Sequence, residues 1–469
     1  MSRYGAALVV VLSVLAVGCS DDSIVAPMPS APSRQAAAVA TSSLQPVPGS
    51  YIVLMKPGAQ AGALRAGVSA AGATVSSERP QVNVMLVSGL SEAQARALAA
   101  RPDVRAIVPD RMAQWIPPNE RNPGSMRRVT SGRVSPLGTD QSSAFFFPEQ
   151  WNLRVIKAPQ AWRETPSGAG TLVCILDSGV DPEHIDLAGK VDRSKSKSFV
   201  PTEKSIQDFL FHGTFVSSIV ATNGIGIASV APDATLCAVK VLNEHGSGAF
   251  SWIIDGMIFA ADEGADVINM SLGLYINKHE DGVPQLIEVL TEVVAYVRSK
   301  GTQVVAAAGN EGVNLDEDDD FIELPAEIPG VISVAATGPL RQRNFDRLAS
   351  YSNRGGRRGG VDIAAPGGDF VSDEFLFDLV LGACARVFCG DESSYLLGDG
   401  TSFAAPHVSG AGAVADSNNP ADLGAAQLDF CILHGADKIL TPSGTVDTRY
   451  GAGRLNVLRS ARLCAGDLD

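Results

Sequence analysis

Hydrophobic residues in the larger part of the chain form short, fully apolar runs separated by segments with helical spacing. The apolar runs have the length of strands buried on both faces, and they lie at 171–176, 235–242, 265–273, 302–310 and 331–337. Segments 251–263 and 285–299 carry helical spacing between them. This alternation predicts an α/β domain over residues 148–469, with a doubly wound, mainly parallel sheet flanked by helices.

A smaller α/β pattern precedes this domain. The predicted strands are 49–58, 82–89 and 103–110, with a helix at 91–100. Residues 49–112 therefore form a module of about sixty residues, near the lower size limit for independent folding. Residues 113–147 contain several prolines, the basic pair Arg127–Arg128 and little periodicity, which predicts an exposed linker.

The first residues have the features of an export signal. Arg3 precedes a short apolar stretch that ends before Cys19, so residues 1–18 are a predicted secretory signal peptide. The segment LAVGC resembles a bacterial lipoprotein signal, although Ala16 stands where leucine is preferred, and we predict lipidation of Cys19. The alternative is ordinary cleavage near the same place. Residues 19–48, rich in Ser, Pro and Ala, are a predicted disordered tether.

Composition and charge narrow the classes of function. The 469 residues are 45% hydrophobic and carry a formal net charge of −14, which fits a soluble globular protein and argues against a nucleic-acid partner. Past the amino terminus no stretch is apolar enough to span a membrane, so lipidated Cys19 is the one expected membrane attachment. We predict an exported protein, either extracellular or held at the cell envelope.

Cysteine positions suggest disulfides in such an exported protein. Cys384 and Cys389 flank a short loop, and Cys431 and Cys464 lie near the carboxyl end; both pairs are predicted disulfides. The remaining two cysteines of the large domain, Cys174 and Cys237, lie inside predicted buried strands and are expected to be free thiols.

Four side chains with complementary chemistry lie at the ends of predicted elements. Asp177 and Asn310 end apolar runs, whereas His212 and Ser402 each stand at the start of a small-residue, apolar helix. Singly, each has an ordinary interpretation as a turn residue, a structural histidine or a helix cap. Together they supply a nucleophile, a base, an orienting carboxylate and an oxyanion donor. Because sites in such sheets form beyond the carboxyl ends of the strands, we expect the four to converge.

The segments around these residues resemble the motifs of subtilisin-like serine peptidases, over about residues 148–463. The matching segments are ILDSGVDPEHIDL, HGTFVSSIVA, AAAGNEG and GTSFAAPHVSG. The resemblance implies that Asp177, His212 and Ser402 form a catalytic triad and that Asn310 stabilises the oxyanion. Phe215 and Phe403 depart from the usual pattern, and we expect them to alter packing rather than abolish activity.

The resemblance also implies a substrate cleft. Protein or peptide substrates are expected to bind as an extended strand between two segments, namely Gly246, Ser247 and Gly248 on one side and Ser271, Leu272 and Gly273 on the other. Glu323, two residues before Pro325, is expected at the base of the primary specificity pocket. A carboxylate there predicts a preference for Lys or Arg before the scissile bond.

Residues 49–112 are similar to the propeptide inhibitor of the same family. This resemblance implies an autoprocessed zymogen that is cut between about 113 and 147, for which Arg127–Arg128 is a sensible site. The enzyme is expected to be a monomer whose chemistry needs no cofactor. Relatives often bind a structural calcium ion, but the sequence indicates no site, because the acidic run at 314–320 lacks the glycine of an EF-hand loop.

Two other classes of function are weaker interpretations. A serine esterase could use Ser402, Asp416 and His434, but Ser402 does not lie in a G-x-S-x-G segment. A non-catalytic binding protein on the same fold would be expected to lack a triad member, and none is missing.

Overall fold

The computed structural model describes residues 44–121, 127–129, 140–317, 319–370, 373–390, 393–419, 421 and 423–467. The predicted signal peptide, Cys19 and nearly all of the predicted tether lie outside these residues. So does much of the linker at 113–147. Within the described part of the chain, no helix combines the length and apolarity needed to cross a bilayer.

A seven-stranded parallel sheet forms the centre of the large domain. Its order is β15-β14-β12-β10-β6-β8-β7, which confirms the predicted α/β fold class. The strands are β6 (Leu172–Asp177), β7 (Lys197–Ser198), β8 (Thr235–Lys240), β10 (Val267–Met270), β12 (Gln303–Ala307), β14 (Val331–Thr337) and β15 (Ile363–Pro366). Side chains of the central strands are buried on both faces, because helices cover the two sides of the sheet.

The helices of this domain are α4 (Trp151–Val155), α5 (Ala158–Glu164), α6 (His212–Val220), α7 (Phe250–Asp262), α8 (Val283–Ser299), α9 (Arg386–Cys389), α10 (Thr401–Ser417), α11 (Ala425–Gly435) and α12 (Val457–Cys464). Helices α6 and α10 pack on each other and on the sheet, and α7 and α8 form a second such pair. Helix α10 carries alanines and glycines where it crosses β10, β12 and β14. These small side chains allow its backbone to lie close to the sheet.

The amino-terminal module consists of β1 (Gln45–Met55), α1 (Ala61–Ala70), β2 (Thr74–Arg79), β3 (Val84–Ser88), α2 (Glu92–Ala99) and β4 (Val104–Gln114). Its antiparallel sheet has the order β2-β3-β1-β4-β9, where β9 (Ser247–Ala249) belongs to the large domain. The two domains therefore share one sheet.

Both faces of the module's sheet are apolar. Tyr51, Val53 and Met55 pack against the module's own helices. The alternate residues Ile52 and Leu54 face the other way and join the core of the large domain. A strand with apolar residues on both faces needs a partner on each side.

Polar contacts tie the module to helices α7 and α8. Arg79 pairs with Asp255 at 2.8 Å, and Arg105 lies 3.2 Å from Glu288. Asp110, which is buried, accepts a hydrogen bond from the hydroxyl of Ser251 at 2.6 Å. The module therefore packs on the large domain through an apolar face and through ion pairs beside that face.

Two small sheets complete the fold. Strands β11 (Leu274–Asn277) and β13 (Phe321–Leu324) pair antiparallel. The third sheet has the order β16-β17-β5, built from β16 (Val380–Cys384), β17 (Ser394–Gly398) and β5 (Arg127–Val129). A short helix, α3 (Pro118–Arg121), lies between β4 and β5. The basic pair Arg127–Arg128 thus lies in a strand beside β17.

Three disulfides join the six cysteines of the large domain. Cys384 is bonded to Cys389, and Cys431 to Cys464. The prediction that Cys174 and Cys237 are free thiols is wrong, because these two are also bonded. They lie directly opposite each other on adjacent strands β6 and β8, with their Cα atoms 4.4 Å apart, a separation that allows a disulfide.

Candidate active site

Asp177 is the last residue of β6 and is fully buried. Its carboxylate accepts a hydrogen bond from Nδ1 of His212, with distances of 2.9 and 3.0 Å to the two oxygens. It also accepts one from the backbone N–H of Ser178 at 2.6 Å. A carboxylate in this position fixes the orientation and tautomer of the imidazole ring.

His212 is the first residue of α6, and a second buried carboxylate organises that end of the helix. Asp208 accepts hydrogen bonds from the backbone N–H groups of Leu210, Phe211 and Thr214. Its Oδ1 also accepts from the hydroxyl of Ser178 at 2.9 Å, beside Asp177. Asp208 thereby links the end of β6 to the start of α6. The sequence analysis did not single out this residue.

Gly213 allows α6 to approach the strand end closely. A Cβ atom at this position would collide with the carbonyl oxygen of Gly179. Packing therefore requires a glycine after the histidine. A larger residue at position 213 would push α6 away from β6 and separate His212 from Asp177.

Ser402 is the second residue of α10 and is 3% exposed. Its carbonyl oxygen accepts a hydrogen bond from the hydroxyl of Ser271 at 2.6 Å. The N–H groups in the first turn of a helix have no partner within that helix and, with the helix dipole, favour negative charge. The ring of the adjacent Phe403 lies 5.6 Å from that of His212, measured between centroids.

Phe215 and Phe403 contact each other. Their ring centroids are 4.1 Å apart, and both side chains are fully buried between α6 and α10. The two departures from the usual motif are therefore one packing feature, shared by the helices that carry His212 and Ser402.

Asn310 lies just past β12, next to the start of α10. Its Oδ1 accepts hydrogen bonds from the backbone N–H of Thr401 at 2.9 Å and from the Thr401 hydroxyl at 3.0 Å. These two bonds turn the amide Nδ2 toward the active site. The nitrogen donates to Oε1 of Glu120 at 2.6 Å, so it bonds an anionic oxygen there.

The end of the module fills the cleft predicted for substrates. Met112, Ala113 and Gln114 pair antiparallel with Ala249, Gly248 and Ser247 of β9. The carbonyl of Trp115 accepts from the N–H of Gly273 at 3.1 Å, and its own N–H donates to the carbonyl of Gly246 at 3.1 Å. The segment thus contacts both sides of the cleft through its backbone, in the manner of an added strand.

Glu120 completes the occupied site and was missed by the sequence analysis. The residue is 2% exposed, and its Oε2 lies 3.5 Å from Nε2 of His212. Burial alone lowers the pKa of His212, but the carboxylates of Asp177 and Glu120 outweigh burial and raise this pKa to about 10. In this state the imidazole is protonated at neutral pH and cannot accept a proton.

Glu323 lies beside the glycines that line the cleft. Its carboxylate is 1% exposed, and Cβ atoms at Gly273 or Gly309 would collide with its oxygens. Glu311 approaches the same point and accepts a hydrogen bond from Asn353. Burial raises the pKa of Glu323 well above its ordinary value, and the nearby charges of Glu311 and Glu327 raise it further. Glu311 is a further acidic residue that the sequence analysis did not single out.

The alternative esterase residues do not reach Ser402. Asp416 lies fourteen positions further along the same helix, which corresponds to about 21 Å. His434 is an exposed residue of α11 that stacks on Phe430.

The residues that the structure describes include no group of three or more His, Cys, Asp or Glu arranged to hold a metal ion.

The parallel sheet, the buried hydrogen bond between Asp177 and His212 and the position of Ser402 at the start of α10 are the arrangement expected of a serine peptidase. The comparisons with known proteins agree. Residues 168–453 match the model of the Subtilase family, and the chain belongs to that family.

Two curated relatives are bacterial enzymes. The thermophilic serine proteinase of Bacillus sp. (strain AK1) is 37% identical over 299 residues, which is 63% of this chain and 63% of the relative. Thermitase of Thermoactinomyces vulgaris is 34% identical over 322 residues, covering 68% of this chain and 98% of thermitase. Among solved structures, the epidermin leader peptide processing serine protease from Staphylococcus aureus superposes with a TM-score of 0.70. That match covers 88% of this chain and 98% of the other at 23% identity, and it supports the fold.

Proposed function

We propose that this protein is an exported serine endopeptidase that hydrolyses peptide bonds through an acyl-enzyme. The observation that carries the proposal is the buried Asp177–His212 hydrogen bond next to the start of the helix that bears Ser402. An extended segment already lies in the adjacent cleft, which supports a polypeptide as the substrate.

Each side chain has one role in the proposed steps. His212 takes the proton of the Ser402 hydroxyl as the oxygen attacks the scissile carbonyl, and Asp177 stabilises the resulting imidazolium. The amide of Asn310 and the backbone N–H of Ser402 hold the oxyanion. His212 then gives the proton to the leaving amine, and water hydrolyses the acyl-enzyme by the same route.

We further propose that the protein is made as a zymogen, with residues 49–112 as its inhibitor. The pairing of β4 with β9 and the protonated state of His212 support this, because the precursor presents neither a free cleft nor a free base. Removal of the module together with residues 113–121 restores both. We also propose that the protein is exported, that Cys19 is lipidated and that the enzyme is a monomer. These parts of the proposal rest on the sequence. The proposal of a structural calcium ion rests on the resemblance to the same family, and no site is assigned to it.

Inactivation by a fluorophosphonate tests the proposed chemistry. We expect the processed protein to hydrolyse casein, and to lose that activity as the reagent bonds to one serine. Digestion and mass spectrometry should place the label on Ser402. Label at another serine, or casein hydrolysis that persists in fully labelled protein, would contradict the assignment.

Substrate preference is the next prediction. Glu323 and Glu311 place two buried carboxyl groups beside Gly309. A positively charged side chain is expected to bind there best, because it would offset the burial and the neighbouring charges that raise the pKa of Glu323. Peptides that differ only in the residue before the scissile bond should show higher kcat/KM for Arg or Lys than for Phe or Leu. In the variant Glu323→Gln the ratio of Arg to Phe cleavage should fall by about tenfold or more, since loss of one favourable charge contact costs about 1.4 kcal/mol or more.

The variant Glu317→Gln is the matched control, because Glu317 is an exposed residue of the acidic loop whereas Glu323 is buried. An unchanged Arg-to-Phe ratio in Glu323→Gln would show that Glu323 does not set the preference.

A further inference from the structure

The segment after the cleft-bound strand turns back over the catalytic centre. The chain is extended as far as Ile116, whose N–H donates to the carbonyl of Gly246 at 3.2 Å. It then forms the single turn α3, in which the N–H of Glu120 donates to the carbonyl of Pro117 at 3.0 Å. This turn directs the side chain of Glu120 into the centre.

The carboxylate of Glu120 stands where a reacting carbonyl oxygen would be held. Oε1 accepts from Nδ2 of Asn310 at 2.6 Å. The same oxygen lies against Gly400, so close that a Cβ atom there would collide with it. Gly400 immediately precedes the helix of Ser402, and the helix dipole favours negative charge at this end.

The second carboxylate oxygen faces the catalytic base. Oε2 of Glu120 lies 3.5 Å from Nε2 of His212, and neither atom has a hydrogen-bond partner among the described residues. His212 therefore lies between two carboxylates, with Asp177 on β6 and Glu120 on α3. From helix α10, the ring of Phe403 lies beside the ring of His212, and the helix places no charged group there. Asp208, just before α6, is engaged by backbone N–H groups and hydroxyls.

We propose that Glu120 is an internal inhibitory carboxylate, which occupies the oxyanion site through Asn310 and holds His212 as an imidazolium until the segment is displaced. The inference rests on the proposed peptidase function and adds how the precursor is kept latent. A cleft-bound strand alone would leave the base free to activate Ser402. Glu120 engages both the base and the oxyanion donor, so neither is available to the reaction.

The same segment is built to avoid being cut where it lies. Pro117 and Pro118 have no backbone N–H to pair with the cleft. Beyond them the chain is helical rather than extended, whereas the cleft binds extended backbone. The inhibitory contact therefore persists until a cut elsewhere, or a movement of the segment, withdraws Glu120.

Labelling of the uncut full-length precursor tests the proposal. Freshly produced wild-type, Glu120→Gln and Glu120→Ala precursors would be exposed briefly to a small fluorophosphonate, and the label on the uncut precursor band measured over time. We expect the two variants to label at least about tenfold faster than wild type, because each unit of pKa lost by His212 raises the fraction of free base tenfold. Glu92→Gln, an exposed change on the same module, is the control and should label like wild type.

The outcomes separate this proposal from the proposed function. Fragments that have lost residue 120 are identical in all variants and serve as an internal standard. If they label but both Glu120 precursors label at the wild-type rate, the inhibitory role is wrong and the peptidase assignment stands. If no fragment of any variant labels, the peptidase assignment itself fails.

A second measurement distinguishes a charge effect from simple obstruction. In full-length precursor carrying Ser402→Ala and ¹⁵N-labelled histidine, His212 should remain an imidazolium to a higher pH than in the same protein with Glu120→Gln added. Identical titration of His212 in the two proteins would overturn the claim that Glu120 holds the base protonated.

Discussion

Replacing Ser402 with alanine is expected to abolish peptide hydrolysis. The nucleophile, the base and the carboxylate act as one unit, and loss of the serine in subtilisin itself, a member of the family to which this chain belongs, lowers kcat by about 10⁶. We expect a loss of the same order in kcat here, measured with a peptide substrate on wild-type and variant enzyme that an added peptidase has processed. Ser443→Ala, in an exposed loop, should retain full activity.

The same variant decides whether the protein processes itself. We expect the Ser402→Ala precursor to remain uncut when produced without other peptidases, while wild type is cut at a position that amino-terminal sequencing would locate. Cleavage of the variant at the wild-type position would show that another peptidase makes the cut. A processed Ser402→Ala enzyme with substantial kcat would contradict the nucleophile assignment itself.

Removing the amide donor of Asn310 should lower kcat by about 10² to 10³ with little change in KM, because the donor stabilises charge that develops in the transition state. Two variants separate the functions of this side chain. Asn310→Ala loses both the donor and the Oδ1 acceptor that holds Thr401, whereas Asn310→Asp keeps the acceptor and loses the donor.

We therefore expect Asn310→Asp to be at least as impaired as Asn310→Ala, with the same thermal stability as wild type. If Asn310→Asp retains activity within a few-fold of wild type, the residue serves to position Thr401 and does not act as the oxyanion donor. Steady-state kinetics on a single peptide, with melting curves for each variant, suffice for the comparison.

The fold could be predicted because it is encoded locally, and so could the elements that carry the candidate site residues. Short apolar runs indicate buried parallel strands, and polar residues at their ends indicate where a site forms. Asp177 is the last residue of β6, and Asn310 follows shortly after β12, as the pattern predicted. The helices of His212 and Ser402 begin where small residues follow a polar one.

The features that were missed depend on contacts between distant segments. Glu120 belongs to a stretch with no periodic pattern, so nothing in its own sequence connects it to His212, ninety-two positions later. Cys174 and Cys237 are paired by the register of β6 against β8, which the apolar runs do not specify. Phe215 and Phe403 were recognised as unusual, but their mutual contact depends on how α6 packs on α10.

In the proposed zymogen, the two apolar faces of the module's sheet would make activation irreversible. After separation from α7 and α8, residues such as Ile52 and Leu54 would lose the core that covers them, and a module of this size has little stability to spare. Under the proposed function, the released fragment would unfold readily and be degraded by the enzyme that it had blocked. The concentration of the inhibitor would then fall as soon as active enzyme is present.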